Sequence, residues 1–255
     1  MLSSQTVNDH YKQISEQYDT FPLVSGIQSH INRLETIEEL LQLDPNTDLV
    51  VDLGAGTSEM GKLWKTKYPH ARPFLCVDPS PMLPLNEPLI EPIQASSADF
   101  AVRNDIHFDA MILVQSVHNI AAACPDLQEL FTKFRTQLRA RGRLCVAIRP
   151  LDSSNLPLFR AAHETFAKDS LPVELIQKTL IEAGFRRVEI KSRAMPHDLP
   201  KSLWYKAIRG RFFSNLSAHS DEEIEAGIHE LEQGINKGRD NVVFEDIFHY
   251  VCAWK

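Results

Sequence analysis

The chain has 255 residues, of which 43% are hydrophobic, so it is long enough to bury one sizeable core. Its formal charge of −7 argues against a protein that binds a phosphate backbone, because such proteins present a basic face. We therefore expect no nucleic-acid partner.

The cysteines and the apolar segments exclude further classes. The four cysteines are far apart and form no C-x-x-C pair, so the sequence predicts neither a disulfide framework nor a metal site. The first stretch, MLSSQTVNDHYKQ, lacks the charged and apolar regions of a secretion signal. No apolar run reaches the ~18–20 residues that a membrane span needs. We expect a cytoplasmic monomer or homodimer with no membrane partner.

Helical patterns occupy residues 1–45. Tyr11 and Tyr18 lie seven residues apart, which places them on one face of a helix. Over residues 28–43 apolar side chains recur at helical spacing, and this pattern stops at Asp44 and the proline that follows it. We predict that helices precede the first strand.

Short apolar runs alternate with helical patterns over residues 46–193. The predicted strands cover residues 48–53, 73–78, 90–95, 108–115, 142–149 and 186–193. The predicted helices cover residues 58–68, 125–140 and 171–183. Continuous apolar strands separated by helices are typical of a parallel sheet with helices on both faces. We predict a Rossmann-like α/β fold.

Residues 194–240 interrupt the alternation. Two prolines, Pro196 and Pro200, precede a helical pattern, and a second helix begins at a Ser-x-x-Glu capping box. Residues 241–255 then form a final strand, which lies too close to the preceding segments to begin a new domain. We predict a single domain with a helical cap inserted before the last strand.

A Gly-x-Gly turn lies between a strand and a helix in the segment VVDLGAGTSEM, residues 50–60. Such a turn lets a nucleotide-like ligand approach the backbone closely. Asp78 ends the next strand, 22 residues after Gly56. An acidic residue there accepts hydrogen bonds from the hydroxyls of an adenosine ribose. These features predict an adenosine ligand and leave open whether it is NAD or S-adenosylmethionine.

Glu59 distinguishes the two ligands. The dinucleotide fingerprint has a small residue at this position, in the first helical turn, beside the pyrophosphate. A carboxylate and a pyrophosphate repel each other at one helix N-terminus. The ammonium and sulfonium groups of S-adenosylmethionine suit Asp52 and Glu59, so we predict this cofactor.

Six segments resemble, in order and spacing, the motifs of the class I S-adenosylmethionine-dependent methyltransferases, and most closely their small-molecule branch. They are VVDLGAGTS, CVDPS, SSADF, FDAMILVQSVHNI, GRLCVAIRP and IEAGFRRVEI. The resemblance covers roughly residues 7–193 and the final strand. It implies a seven-stranded, mostly parallel sheet whose last strand lies antiparallel between the fifth and the sixth. It also implies methyl transfer to a small molecule, and we expect an oxygen acceptor in preference to nitrogen.

The resemblance also implies cofactor-binding roles for residues in each motif. One departure is Ser58, which stands where the family has a third glycine; because serine is a good helix N-cap, we expect a changed turn with binding retained. The paired tyrosines match an aromatic lid, with ordinary helix packing as the alternative. The implied cofactor-binding residues are Tyr11 and Tyr18 (lid), Asp52, Gly54 and Gly56 (turn), Asp78 (ribose) with Pro79 beside it, Ala98 and Asp99 (adenine), and Gln115 (methionine group).

The acceptor is expected above the carboxyl ends of the strands, where ligands of open α/β sheets bind. His118 is the candidate general base, because the unperturbed pKa of histidine lies near neutral pH; the alternative is a structural hydrogen-bonding residue. The candidate acceptor-binding residues are Arg149, Trp204, Tyr205 and Arg209, with packing inside the cap as the alternative for the aromatic ones. The arginines point to an anionic acceptor, for instance a carboxylic acid.

Two other functions are compatible with the same turn. A non-catalytic subunit that binds S-adenosylmethionine would bind the cofactor without turning over an acceptor. A nicotinamide oxidoreductase would bind NAD. The D/N-P-P-Y pattern of enzymes that methylate the exocyclic amines of nucleic-acid bases is not present in the strand-end segment QSVHN.

Overall fold

A computed structural model describes residues 27–124, 126–150, 156–169 and 171–255. Its strands are β1 (Val50–Leu53), β2 (Leu75–Val77), β3 (Glu91–Ile93), β4 (Phe108–Val114), β5 (Leu138–Ile148), β6 (Arg187–Pro200) and β7 (Asn241–Trp254). Its helices are α1 (Ile27–Leu41), α2 (Glu59–Lys67), α3 (Ser97–Ala101), α4 (Val117–Ala123), α5 (Leu127–Gln137), α6 (Arg160–Asp169), α7 (Val173–Glu182), α8 (Lys201–Arg209) and α9 (Asp221–Gln233), with a 3₁₀ helix at Ser214–Ala218.

The seven strands form one sheet in the order β3-β2-β1-β4-β5-β7-β6. Strands β1 to β5 pair in parallel, whereas β7 runs antiparallel to both β5 and β6. The expected α/β fold is therefore confirmed, including the antiparallel insertion of the last strand. The order reverses between β1 and β4, and this switch point is where open α/β sheets bind their ligands.

Alternate residues of the buried strands supply a core on each face of the sheet. On β4, Met111 and Leu113 pack on one side with the buried faces of α5 and α7, and Ile112 packs on the other side with α1 and α2. Because every second side chain of a strand points to the same face, the continuous apolar sequence of β4 serves both layers. The β1–α2 and β4–α4 turns therefore lie side by side at the carboxyl ends of these two paired strands.

The cap has a core of its own. Side chains of α8, α9 and the start of β7 pack there around Trp204 and Ile208. Helix α6, which the sequence patterns did not predict, adds Ala162 and the segment before it adds Phe159. The capping box between Ser220 and Glu223 begins α9 as predicted.

The lower boundary of the cap differs from the predicted one. Strand β6 continues through residues 194–200, with Pro196 opposite Glu245 of β7, so the helical insert begins at Lys201. A proline is tolerated there because β6 is the edge strand of the sheet, where one side needs no ladder hydrogen bonds. The predicted final strand, residues 241–255, corresponds to β7.

Among the residues that the structure describes, every helix is too short or too polar to span a lipid bilayer.

Candidate active site

A cleft of about 310 Å³ opens at the carboxyl ends of β1, β2, β4 and β5. This volume lies in the range of about 300–1,000 Å³ that is usual for small-molecule sites. The cleft has two ends. We call the strand-end loops around residues 52–59, 78–82 and 95–97 the cofactor end, and the part lined by α1, α6, Arg149 and the cap the acceptor end.

The glycine turn forms the floor of the cofactor end. Gly54 has a φ of +77°, and a Cβ there would lie 2.3 Å from the Cβ of Ser116. Gly56 also has a positive φ, of +53°, and an added Cβ would meet nothing within 4 Å. Both positions therefore favour glycine, the first because of close packing and the second because its conformation is left-handed. The space above Gly56 is left open to a ligand.

Two buried carboxylates flank this turn. Asp78 accepts hydrogen bonds from the backbone N–H of Gly56 at Oδ2, 2.9 Å, and from that of Ser80 at Oδ1, 2.8 Å. Each carboxylate oxygen has a further lone pair for a ligand hydroxyl. Asp52 is only 2% exposed at the end of β1, and burial together with the nearby charge of Asp78 raises its pKa to about 7. A cation bound in the cleft would restore the ionised form of Asp52.

Ser58 and Glu59 form the start of α2. Ser58 is fully buried and has a φ of +64°, the left-handed conformation that glycine adopts readily, and its hydroxyl makes no capping hydrogen bond. The sequence predicts a changed turn at Ser58 because serine is a good helix N-cap. In the structure Ser58 instead keeps the backbone conformation of a glycine, and its side chain does not cap the helix. Glu59 lines the cleft and pairs with Lys62 at 2.6 Å.

The two residues predicted to bind adenine, Ala98 and Asp99, do not line the cleft. Ala98 and Asp99 lie exposed on α3, and Asp99 interacts with Ser96 at the helix N-cap. Ser96 and Ser97 line the cleft instead. Pro79 lines the cleft beside Asp78. Tyr11 and Tyr18, the predicted lid, lie outside the described residues.

Gln115 and His118 lie where β4 passes into α4. Gln115 has a φ of +54°, its N–H donates to the carbonyl of Ala147 at 2.9 Å, and its buried Nε2 has no hydrogen-bond partner among the described residues. A strained backbone and an orphaned amide at a cleft wall are typical of a ligand-binding position. His118 lies in the first turn of α4, partly buried, and lines the same cleft.

Arg149 follows β5 and lines the acceptor end, but its charge is compensated. Its Nε and terminal nitrogen donate to the two carboxylate oxygens of Asp246, both at 2.7 Å. The side chains of Arg149 and Asp246 are 7% and 2% exposed, and the guanidinium lies 4.7 Å from the ring centroid of Phe248.

The structure does not bring the three predicted cap residues to the cleft wall. Trp204 is fully buried and donates to the carbonyl of Pro157 at 2.8 Å. The hydroxyl of Tyr205 bonds to Asn236, and Arg209 forms a bidentate, exposed pair with Glu225. The cap reaches the cleft with Phe212, Phe213 and Asn215 instead.

Two residues of α1 that the sequence reasoning missed also line the acceptor end, His30 and Arg33. The signal was present, because Ser29, Arg33 and Ile37 recur at a spacing of four and share the buried face of α1. A charged residue on the apolar face of a helix is seldom buried without a role. Among the residues described, no group of three or more His, Cys, Asp or Glu side chains could hold a metal ion.

No protein-family model matches the chain, and no curated protein matches its sequence. Solved structures do match. A protein named as a methyltransferase of an antibiotic biosynthesis pathway from Anabaena variabilis superposes with a TM-score of 0.63 at 18% identity, over 86% of this chain and 96% of its own.

Two further matches were solved with bound ligands. The plantazolicin methyltransferase BpumL, in complex with S-adenosylhomocysteine, has a TM-score of 0.58 at 15% identity, over 99% and 95% of the two chains. A phosphoethanolamine N-methyltransferase of Haemonchus contortus has a TM-score of 0.57 at 12% identity, over 100% of this chain and 60% of its own. The chain has the fold of the class I S-adenosylmethionine-dependent methyltransferases.

Proposed function

We propose that the chain binds S-adenosylmethionine at the cofactor end of the cleft and transfers its methyl group to an oxygen of a small molecule. The observation that carries the proposal is the pairing of the open Gly56 turn with Asp78, whose carboxylate is fixed by two backbone N–H groups. A carboxylate fixed in this way is suited to accept hydrogen bonds from the two hydroxyls of a ribose, which supports the proposal.

The charge at the cofactor end supports this ligand over a dinucleotide. Asp52, Asp78 and Glu59 all line the cleft, and each would repel a pyrophosphate. The ammonium group of a bound methionine moiety would instead compensate Asp52, whose pKa burial and Asp78 raise to about 7. The orphaned Nε2 of Gln115 would donate to the carboxylate of the same moiety.

S-adenosylmethionine, when bound, supplies an electrophilic methyl group on a positively charged sulfur, which becomes a neutral thioether as the new bond to oxygen forms. The chain's own residues would hold the acceptor next to the methyl group, opposite the sulfur–methyl bond that breaks, and would exclude water. A hydroxyl acceptor also loses its proton, and His118, which lines the cleft, is the residue that we propose receives it. This step is the reason for proposing an oxygen acceptor.

The first experiment is calorimetry with S-adenosylhomocysteine and with NAD. We expect S-adenosylhomocysteine to bind and NAD to give no detectable heat. Equal affinity for NAD would contradict the proposed cofactor. Binding followed by no methyl transfer to any metabolite, in a mass-spectrometric screen with labelled S-adenosylmethionine, would favour a non-catalytic subunit.

The role of His118 is tested by His118→Ala. If His118 takes the proton of the acceptor, turnover falls ~10²–10⁴-fold while affinity for S-adenosylhomocysteine changes little. The matched control is His107→Ala, since His107 bonds to the carbonyl of Gln137 outside the cleft lining. A drop of less than about tenfold in His118→Ala would remove the base from the mechanism and with it the argument for oxygen.

A further inference from the structure

The acceptor end combines an aromatic surface with Arg149, whose charge Asp246 compensates, and this combination narrows the acceptor class. Phe166 of α6 and Phe212 and Phe213 of the cap line the cleft, and we call these three rings the aromatic wall. The inference rests on the proposed function, because it concerns the molecule that the same cleft would methylate.

A sharp turn after α8 places Phe212 and Phe213 at the cleft. After α8, the N–H of Phe212 donates to the carbonyl of Ala207 and that of Arg211 to Ile208, both at 3.0 Å, which is the Schellman arrangement. Arg211 takes the left-handed position, with a φ of +52°, where glycine is usual. Its guanidinium compensates by donating to the carbonyl of His219 and to Asp221. The turn is therefore specified by side-chain contacts.

Two aromatic side chains of the cap contact the ring of Phe213 and fix its position. It packs against Trp204 with ring centroids 5.6 Å apart and lies edge-on to Phe212 at 5.4 Å. Trp204 is itself fixed by its hydrogen bond to the carbonyl of Pro157. A rigid aromatic surface of this kind binds a planar apolar group at a small entropic cost.

Arg149 is poorly suited to receive a carboxylate. Both carboxylate oxygens of Asp246 already accept its donors, in a pair that is almost completely buried. A substrate carboxylate at the same guanidinium would meet the charge of Asp246 at short range in a poorly solvated site. The cap arginines pair with Glu225 and Asp221. The expectation of an anionic acceptor that was based on Arg149 and the cap arginines therefore loses the support of those residues.

Asn215 supplies a neutral polar group beside the aromatic wall. Its side chain lines the cleft, is buried, and donates through Nδ2 to the carbonyl of Ala162 at 2.9 Å. This bond orients the amide and leaves Oδ1 as the group that accepts a hydrogen bond from a ligand.

We propose that the acceptor is an uncharged, planar and largely apolar molecule that packs on the aromatic wall and donates a hydrogen bond to Asn215. A cleft with mostly apolar walls and a few fixed polar groups is the usual form of a site for such a ligand.

The test uses two probes that share a ring system and differ in charge, 2-naphthamide and 2-naphthoate, titrated into protein saturated with S-adenosylhomocysteine. We expect 2-naphthamide to bind at least tenfold more tightly. Phe213→Ala should weaken 2-naphthamide binding at least tenfold, and Phe213→Leu, which keeps an apolar side chain, should weaken it less. Phe244→Leu is the matched control, because Phe244 belongs to the cap core but not to the cleft lining.

Tighter binding of 2-naphthoate would overturn the proposal, as would unchanged 2-naphthamide affinity in both Phe213 variants. If Phe213→Ala does not fold, the Phe213→Leu variant decides. The saturation with S-adenosylhomocysteine separates this outcome from the proposed function. A protein that does not bind S-adenosylhomocysteine contradicts the proposed function, whereas one that binds it and prefers the carboxylate contradicts only the acceptor class.

Discussion

The two ends of the cleft are built in different ways. The cofactor end consists of loops that directly follow buried strands, so Asp52, Gly56 and Asp78 are placed by the backbone of the sheet itself. The acceptor end gathers side chains from α1, from the residue after β5, from α6 and from the cap, which are separated by up to 185 positions between His30 and Asn215. Short motifs therefore specify the first end, and long-range packing specifies the second.

The largest effect is expected at the cofactor end, from Asp78→Ala. The change removes the two charge-assisted hydrogen bonds that we propose Asp78 makes to a ribose, each contributing roughly 1.5–3 kcal/mol, so we expect affinity for S-adenosylhomocysteine to fall ~10²–10⁴-fold. Calorimetry measures the loss. The control is Asp105→Ala, which removes a carboxylate that pairs with Arg103 on the surface. Wild-type affinity in Asp78→Ala would show that the ribose is not held there.

At the acceptor end, the largest effect is expected from Asp246→Asn. Removing one charge of a buried pair leaves Arg149 uncompensated, which lowers the free energy of unfolding by about 3–5 kcal/mol. Urea denaturation measures the change, and Asp221→Asn, in an exposed pair with Arg211, should alter stability far less.

The same Asp246→Asn variant sharpens the acceptor assignment. With its partner neutralised, Arg149 is able to pair with a ligand carboxylate, so affinity for 2-naphthoate should rise relative to 2-naphthamide. An unchanged preference would mean that Asp246 does not set the charge selectivity of the cleft.

Proton release on cofactor binding tests the electrostatics of the cofactor end. Burial and Asp78 raise the pKa of Asp52 to about 7, so in the free protein this group is protonated below that pH. A bound ammonium group lowers the pKa, and the proton leaves on binding. Affinity for S-adenosylhomocysteine should therefore rise as pH increases towards 7, by at most tenfold per pH unit, and level off above it.

Calorimetry at pH 5.5 and pH 8, in buffers with different ionisation enthalpies, measures the released proton directly. Asp52→Asn should remove the difference between buffers at pH 5.5. The raised pKa also means that burying this carboxyl stabilises the fold only at low pH: the unfolded state ionises near pH 4, so stability is lost as pH rises from there through about 7. If Asp52→Asn still releases a proton when S-adenosylhomocysteine binds, the released proton comes from another group.

The limits of sequence-based prediction follow from the same difference between the ends. The parallel sheet and the glycine turn follow from apolar runs and from a motif whose residues are neighbours in the chain, whereas the antiparallel position of the last strand follows from the family resemblance. The continuation of β6 through Pro196 was not predictable from the proline alone, because it depends on β6 being an edge strand. Whether Trp204 or Phe213 faces the cleft depends on the turn at Arg211, where the arginine takes the left-handed conformation and the neighbouring Gly210 does not.

The smallest effect is expected from Arg209→Ala. This variant tests whether an arginine in the cap can be identified as ligand-binding from its residue type alone. Arg209 lies in the cap and was a candidate for binding an anionic acceptor, but its guanidinium pairs with Glu225 on the surface, outside the cleft lining. Exposed pairs contribute little to stability because solvent screens them, so we expect the melting temperature to change by less than about 2 °C. Binding of 2-naphthamide should stay within about twofold of wild type. A tenfold loss of binding in Arg209→Ala, with the Glu225→Gln control unaffected, would mean that the cap moves Arg209 into the cleft when a ligand binds, and the acceptor end would then have to be assigned in that closed form.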